Sequence, residues 1–250
     1  MIHYFGGPIS PTEAAYKVWE KRHGLVSFAY QGQITLVSTL CSSWVIDNGA
    51  FTAWKSGKEI TDWEASGFYD FVRKYNLPNL DFVLIPDTIT GTERDNDYLC
   101  MEWESRMKGI PGVPVWHMHE SFERLDRLCA YYKKVAIGSS GDYATLKTPE
   151  WWERIRAAVA HISDSNGRPR VRLHGLRMMD PEITQRIPFS SVDSTTVGRN
   201  VNLDTHWKGK NSPRSKITRA LVLVDRFEFF NGCHQLNDDG VGLQLLEDAA

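Results

Sequence analysis

Cysteine is scarce in this chain, and its positions form no recognisable motif. The 250 residues contain no Cys-x-x-Cys pair, and four cysteines are widely separated, at Cys41, Cys100, Cys129 and Cys233. This spacing indicates neither a disulfide framework nor a zinc ribbon. Cys233 and His234 are adjacent, which is too close for the usual zinc pair. We therefore predict no metal site and no cofactor.

Long apolar runs and an excess of one charge are also absent. No run approaches the roughly 18 apolar residues of a membrane-spanning helix. The first residues lack the basic segment and apolar core of a secretion signal. The formal net charge is only -2, so the distribution of charge, and not its total, bears on nucleic-acid binding. We expect a soluble protein of a reducing compartment, the cytoplasm, with no membrane partner.

What is present is ordinary globular composition, 42% hydrophobic and 24% charged. We find no internal repeat, low-complexity tract or linker, so residues 1–250 are predicted to form a single domain. Apolar runs alternate with helical patterns. The predicted strands are 1–5, 25–30, 34–39, 44–46, 81–85, 113–116, 134–137, 170–173 and 189–192. Predicted helices begin near residues 12, 61, 95, 122, 149, 180 and 217.

This alternation predicts an α/β fold with parallel strands buried on both faces. The first candidate is a TIM-type (β/α)8 barrel, which is routinely this long. A doubly wound sheet is the alternative, but no Gly-x-Gly-x-x-Gly follows the first strand.

Polar or glycine residues stand at the carboxyl end of nearly every predicted strand, where barrel enzymes place their active sites. Asp47, Asp87 and Asp193 end three of these strands. Two carboxylates at one site can act as nucleophile and as acid/base, and a third can accept hydrogen bonds from a purine edge. The alternative is that each is a helix cap or turn residue.

Smaller and basic side chains follow other strands. Gly138 and Ser139 would let a flat base approach the backbone. His117 and His174 would either donate to ring acceptors or orient their neighbours.

Five of these segments resemble the tRNA-guanine transglycosylases. Residues 45–51, ending in Asp47-Asn48-Gly49-Ala50-Phe51, resemble that family's Asp-Ser-Gly-Gly-Phe segment. Residues 189–200 resemble its nucleophile segment, which ends in Thr-Arg-Asn. Residues 85–87 match the position of the family's guanine-reading aspartate, and residues 136–139 resemble its Ala-Ile-Gly-Gly turn. Residues 173–176, which include His174 and Gly175, resemble its Met-Gly-Val-Gly tip.

The resemblance implies a barrel that exchanges a guanine base through a covalent enzyme-sugar intermediate. It implies Asp193 as nucleophile and Asp47 as general acid/base. It also implies a base pocket formed by Asp87, His117, Gly138, Ser139, His174, Gly175 and Phe51.

Two departures modify the expected substrate. The family's zinc subdomain is missing and the chain is shorter, as in the phage-type DNA deazaguanine transglycosylases. We therefore expect guanine in DNA to be replaced by a free 7-deazaguanine base, such as 7-cyano-7-deazaguanine, in the host cytoplasm if the gene is phage-encoded. RNA is the alternative substrate.

A basic strip follows the predicted nucleophile. Between Gly198 and Arg219 there are six cations and one acid, Asp204. The cations are Arg199, Lys208, Lys210, Arg214, Lys216 and Arg219. Such a strip would neutralise phosphates, although a solvated loop has the same composition. Two further functions stay open, an N-glycosidase that uses water and a nucleic-acid-binding barrel without catalysis.

Overall fold

The structure, a computed structural model, describes residues 1–201, 213–230 and 232–236. Its strands are β1 Ile2–Gly6, β2 His23–Ser27, β3 Ser43–Asp47, β4 Leu80–Leu84, β5 Gly112–Val113, β6 Val115–His117, β7 Lys134–Gly138, β8 Arg172–Gly175 and β9 Ser191–Ser194. Its α-helices are α1 Thr12–Trp19, α2 Ile34–Leu40, α3 Ala50–Lys55, α4 Phe68–Lys74, α5 Glu93–Arg106, α6 Phe122–Tyr131, α7 Pro149–His161, α8 Pro181–Thr184, α9 Thr196–Asn200 and α10 Lys216–Glu228. A 3-10 helix spans Gly141–Tyr143.

The strands form one sheet in the order β5-β4-β3-β2-β1-β9-β8-β7-β6. The pairs whose register is described are parallel. From β1 to β5 and from β6 to β9 the strands follow one another in chain order and in the same direction along the sheet. A doubly wound sheet would instead reverse direction at a switch point. The predicted α/β class with a parallel sheet is confirmed.

The chain divides into two compact units. Unit 1 contains residues 1–3, 116–193 and the described residues from 226 onward, whereas unit 2 contains 4–115 and the described part of 194–225. Among the described residues, no helix combines the length and apolarity needed to cross a membrane.

Tryptophans anchor the core of unit 2. Trp19 and Trp44 are fully buried, and the Trp19 indole N–H donates to the Phe5 carbonyl at 2.8 Å. Trp103 of α5 packs against Gly112 of β5, where an added Cβ would be 2.2 Å from the indole nitrogen. The helix therefore approaches the strand closely because the strand has no side chain at that point.

The core of unit 1 is built on the apolar interiors of β7 and β8. Ile137 and Leu173 are completely buried, as is Trp151 of α7. Helix α7 begins where predicted because Thr148 accepts a hydrogen bond from the Trp151 N–H at 3.2 Å and Pro149 occupies the first turn.

Residues 34–39, predicted as a strand, form α2 instead. Their β-branched side chains favour a strand in isolation. The segment nevertheless connects two neighbouring parallel strands, and such a connection is usually helical. Ile34 and Val37, three residues apart, are buried. Val37 packs against Gly24 of β2, where an added Cβ would lie 2.6 Å from its methyl group.

Several boundaries also differ from the prediction: β2 begins at His23 and not at Leu25, and the predicted strand 113–116 is divided into β5 and β6 at Pro114. The helix expected from Thr61 begins at Phe68, because Gly67 in the left-handed region (φ +79°) starts it. Asp193 lies inside β9 and not beyond it, and the expected Gly198-Arg199-Asn200 turn is part of α9. The absence of a side chain at Gly198 lets α9 pass close to the Pro8 carbonyl oxygen, which is 2.5 Å from where a Cβ would be.

Candidate functional site

In each unit the parallel strands place their polar carboxyl ends at the same edge. In unit 2, Asp47 is the last residue of β3 and Asp87 follows β4 by three residues. In unit 1, His117, Gly138 and Gly175 are the last residues of β6, β7 and β8, and the second-last residue of β9 is Asp193. The structure thus confirms that these residues stand at strand ends.

Asn48 joins the ends of β3 and β4 in unit 2. Its side chain is 2% exposed, and its Nδ2 donates to Asp87 Oδ1 at 2.5 Å and to the Ile85 carbonyl at 2.7 Å. The Asn48 Oδ1 accepts the Ala50 N–H at 2.9 Å, so the orientation of the amide is determined by its partners. The Asp87 carboxylate is thereby held at a defined position while buried.

Asp47 lies beside this pair and is half-buried. Its Oδ1 accepts the Gly49 N–H at 3.2 Å, and its carbonyl accepts the Phe28 N–H at 2.8 Å. Gly49 has a φ of +82°, and an added Cβ would be 3.0 Å from the Ala29 nitrogen. A glycine is therefore required for α3 to begin directly after β3, which places Phe51 next to the strand end.

Asp193 of unit 1 is a buried carboxylate held at one oxygen. Its Oδ1 accepts the Arg177 backbone N–H at 3.0 Å and lies 3.3 Å from His174 Nε2. Asp193 is 5% exposed, and its Oδ2 has no hydrogen-bond partner in the part of the chain that the structure describes. Arg177 adopts a left-handed conformation (φ +59°), which is uncommon for a residue other than glycine.

His174 lies beneath this carboxylate and is completely buried. Its Nδ1 is 2.9 Å from the Ser191 hydroxyl oxygen. When this hydroxyl donates to Nδ1, the neutral ring carries its hydrogen on Nε2, the atom that faces Asp193. Of the two roles predicted for His174, this geometry favours the orientation of a neighbour.

The Ser139 side chain belongs to the core. Its Oγ accepts the Trp151 indole N–H at 2.9 Å and lies 3.8 Å from Met118 Sδ. Any contact of Ser139 with a base would therefore come from the backbone. Gly138 is engaged through its carbonyl, which accepts the Met118 N–H at 2.9 Å.

His117 is buried, and a charged brace holds the turn that follows it. The His117 N–H donates to Glu120 Oε2 at 2.8 Å, and the same oxygen pairs with Arg124 at 2.5 Å. Both charged side chains are 1% exposed. Arg154 of α7 donates to the Met118 carbonyl at 2.8 Å and to the Glu120 carbonyl.

Sequence reasoning missed this brace. The four-residue spacing of Glu120 and Arg124 was a usable signal, because that spacing brings side chains together on a helix. The sequence contains no such signal for Arg154, because only the tertiary structure brings α7 to the turn.

A second missed feature holds the loop that contains Asp87. The Glu59 carboxylate accepts hydrogen bonds from Thr88 Oγ1 at 2.7 Å and Thr90 Oγ1 at 2.8 Å. These contacts, with that of Thr88 foremost, lower the pKa of Glu59. The Thr88 N–H also donates to the buried Asn96 Oδ1 at 2.8 Å.

The basic strip is described only in part. Arg199, Arg214 and Lys216 are exposed, whereas Arg219 is half-buried and its Nε donates to the Pro213 carbonyl at 2.7 Å. Lys208 and Lys210 lie outside the described residues. The strip's role stays a prediction.

Within residues 1–201, 213–230 and 232–236, no group of three or more His, Cys, Asp and Glu side chains is placed to hold a metal ion. Neither a protein-family model nor a curated protein matches this sequence. The resemblance to the transglycosylases therefore stays a prediction, and the local chemistry of the strand ends carries the functional argument.

Proposed function

We propose that this protein is a base-exchange transglycosylase that replaces guanine in DNA with a free 7-deazaguanine base. The observation that carries the proposal is that the Asp193 carboxylate is held at one oxygen only, Oδ1, among the described residues. Buried polar groups are normally paired, so an oxygen without a hydrogen-bond partner, on a carboxylate residue that is 5% exposed, is unusual for a structural residue. In a nucleophile, however, that oxygen must be available to the substrate.

The proposed chemistry needs only side chains and two bases. An oxygen of Asp193 forms a bond to C1′ of an extruded deoxyguanosine as the C1′–N9 bond breaks. Asp47 gives a proton to the departing guanine. Asp47 then takes the N9 proton of the incoming 7-deazaguanine, whose N9 bonds to C1′ as the Asp193 ester breaks. Atoms and charge balance without a cofactor.

Asp87 is assigned to recognition of the base. A carboxylate matches the two adjacent donors of guanine, the ring N1–H and the 2-amino group. The Asn48 amide supports this role because its hydrogen bond fixes the orientation of the Asp87 carboxylate. The same two donors are present in a 7-deazaguanine, so one group can read both the leaving and the entering base.

The proposal extends to a (β/α)8 barrel. Nine strands become eight when β5 and β6 are counted as one strand interrupted at Pro114, which lacks the N–H needed for a sheet hydrogen bond. The sequential strand order supports this arrangement.

We propose DNA as the substrate and keep RNA as the alternative, since the basic strip would bind the phosphates of either. A base paired in a duplex must leave the stack to be exchanged, at a cost of a few kcal/mol. Phosphate contacts from exposed cations such as Arg199 and Arg214 would supply binding energy for that step.

Incubation of guanine-containing DNA with labelled guanine tests the exchange. We expect the wild-type protein to incorporate label, whereas a hydrolytic N-glycosidase would release guanine without incorporation. Asp193→Asn should abolish incorporation and retain DNA binding. The matched control is Asp164→Asn, which alters an exposed turn before β8 and should exchange normally. Normal exchange by Asp193→Asn would reject the assigned nucleophile.

A further inference from the structure

Helix α3 carries an aromatic pair that the proposed chemistry does not use fully. Phe51 and Trp54 have ring centroids 5.6 Å apart, and Trp54 is 39% exposed. Both stand on the short helix α3, which is separated from the last residue of β3, Asp47, by Asn48 and Gly49. A large apolar ring is thus presented to solvent on the helix that follows the strand end carrying Asp47.

Two cations follow Trp54 closely in the chain. Lys55 and Lys58 are both exposed, and neither forms an ion pair within the described residues. The acid that follows them, Glu59, uses its carboxylate to accept from Thr88 and Thr90. The surface around Trp54 therefore offers positive charge to a ligand, together with an aromatic face.

This surface is held firmly at both ends. At its start, Asn48 and Gly49 connect α3 to Asp87 and Asp47. At its end, the Lys58 N–H donates to the Ala53 carbonyl at 2.9 Å, and Glu59 connects the chain to the Asp87 loop. An ordered helix that holds an exposed aromatic ring in place reduces the entropy lost when a ligand stacks on it.

We propose that Trp54, Lys55 and Lys58, which we call the α3 platform, stack and hold a base that neighbours the target guanine in a single-stranded stretch. Aromatic side chains combined with cations are the means by which proteins bind unpaired nucleic acid. The inference deepens the proposed function and rests on it for the identity of the target base. The platform would hold the strand while the target nucleotide enters the site.

The test uses single-stranded oligonucleotides that contain one guanine flanked by 5-iodouracil, a photoreactive base. We expect irradiation of the wild-type protein to produce a cross-link that peptide mass spectrometry maps to Trp54. Trp54→Ala should weaken oligonucleotide binding about tenfold, and Trp54→Phe should restore part of the loss because it keeps an aromatic face. Lys55→Ala with Lys58→Ala should lower the salt slope of log affinity by about 1.4.

Tyr98→Ala is the matched control. Tyr98 is 64% exposed on α5 of the same unit but lies among acidic residues of that helix. Binding by this variant should equal that of the wild type. Thermal unfolding of each variant checks that the fold is retained.

The outcomes separate the two proposals. A Trp54 cross-link in a protein that fails to incorporate labelled guanine would support the platform and reject the exchange reaction. Exchange by the wild type together with unchanged binding by Trp54→Ala would overturn the platform alone. A wild-type protein that binds no oligonucleotide would overturn both.

Discussion

At the scale of the residue, one oxygen of Asp193 is held by a backbone hydrogen bond and by the close approach of His174 Nε2. His174 has no exposed surface, so its ring contributes through Asp193 and Ser191. The Arg177 N–H adds a backbone donor to the same Oδ1. The result is a carboxylate whose position is set by its surroundings before any substrate binds.

Replacing His174 should therefore impair chemistry more than binding. We expect His174→Ala to lower the exchange rate constant about 10- to 100-fold, because small displacements of a reacting group have large effects on rate. The KM for DNA should change little. Steady-state kinetics measure both, and Ser191→Ala should give a smaller loss of the same kind. An unchanged rate constant for His174→Ala would contradict a positioning role.

A second prediction concerns Asn48 of unit 2, which holds the Asp87 carboxylate. Asn48→Ala removes the 2.5 Å hydrogen bond to Asp87 and leaves a buried carboxylate with fewer partners. We expect the free energy of unfolding to fall by about 1–3 kcal/mol, measured by denaturant titration. Asn76→Ala, at an exposed position, is the control and should be nearly neutral. Equal stability of the two variants would show that Asn48 does not support Asp87.

At the scale of the element, two loops at the carboxyl edge of unit 2 are joined by one side chain. Glu59 connects the segment after α3 to the Asp87 loop through Thr88 and Thr90. Its folded-state pKa is lowered, first by the Thr88 hydrogen bond. A lowered pKa means that the stabilisation is present above the unfolded-state value and is lost as pH falls through the folded-state value.

Glu59→Gln should accordingly flatten the acid side of the stability profile. Unfolding of the wild type should become easier as pH falls below about 4.3, the ordinary glutamate value. The variant should lose less stability over that range, because its amide does not titrate. Denaturant titrations at several pH values give the comparison. Parallel profiles for the two proteins would be evidence against the Glu59 connection.

Helix α9 allows a test of close packing. Gly198→Ala would gain about 1 kcal/mol of helix propensity, but its Cβ would lie 2.5 Å from the Pro8 carbonyl oxygen. Because backbone atoms cannot move away easily, we expect a net loss of about 1–3 kcal/mol in the free energy of unfolding. Gly32→Ala has no neighbour within 4 Å of the added Cβ and serves as the control. A Gly198→Ala protein more stable than the control would disprove the close contact.

Element prediction from the sequence succeeded where one pattern dominated. Continuous apolar runs identified β3, β4 and β7, and the Thr148-Pro149 pair identified the start of α7. It failed at α2, because local β propensity and tertiary position disagree there and the position between two parallel strands decides the outcome. The short α3 was missed because its start depends on the left-handed Gly49, which the sequence does not reveal.

At the scale of the whole molecule, the sheet order agrees with the predicted succession of strand and helix. The sequence predicted which residues stand at the strand ends, because parallel strands share one polarity. It did not predict the partners that hold them. Asn48 with Asp87, His174 with Asp193 and Glu120 with Arg124 depend on side-chain positions that only the packed elements determine.

The most direct measurement of the central claim is the mass of the protein after reaction with a guanine-containing oligonucleotide and denaturation. We predict a covalent sugar adduct, located on Asp193 by peptide mass spectrometry, that disappears when free guanine or a 7-deazaguanine is added before denaturation. An adduct on another residue, or labelled guanine incorporated by Asp193→Asn at the wild-type rate, would contradict the account.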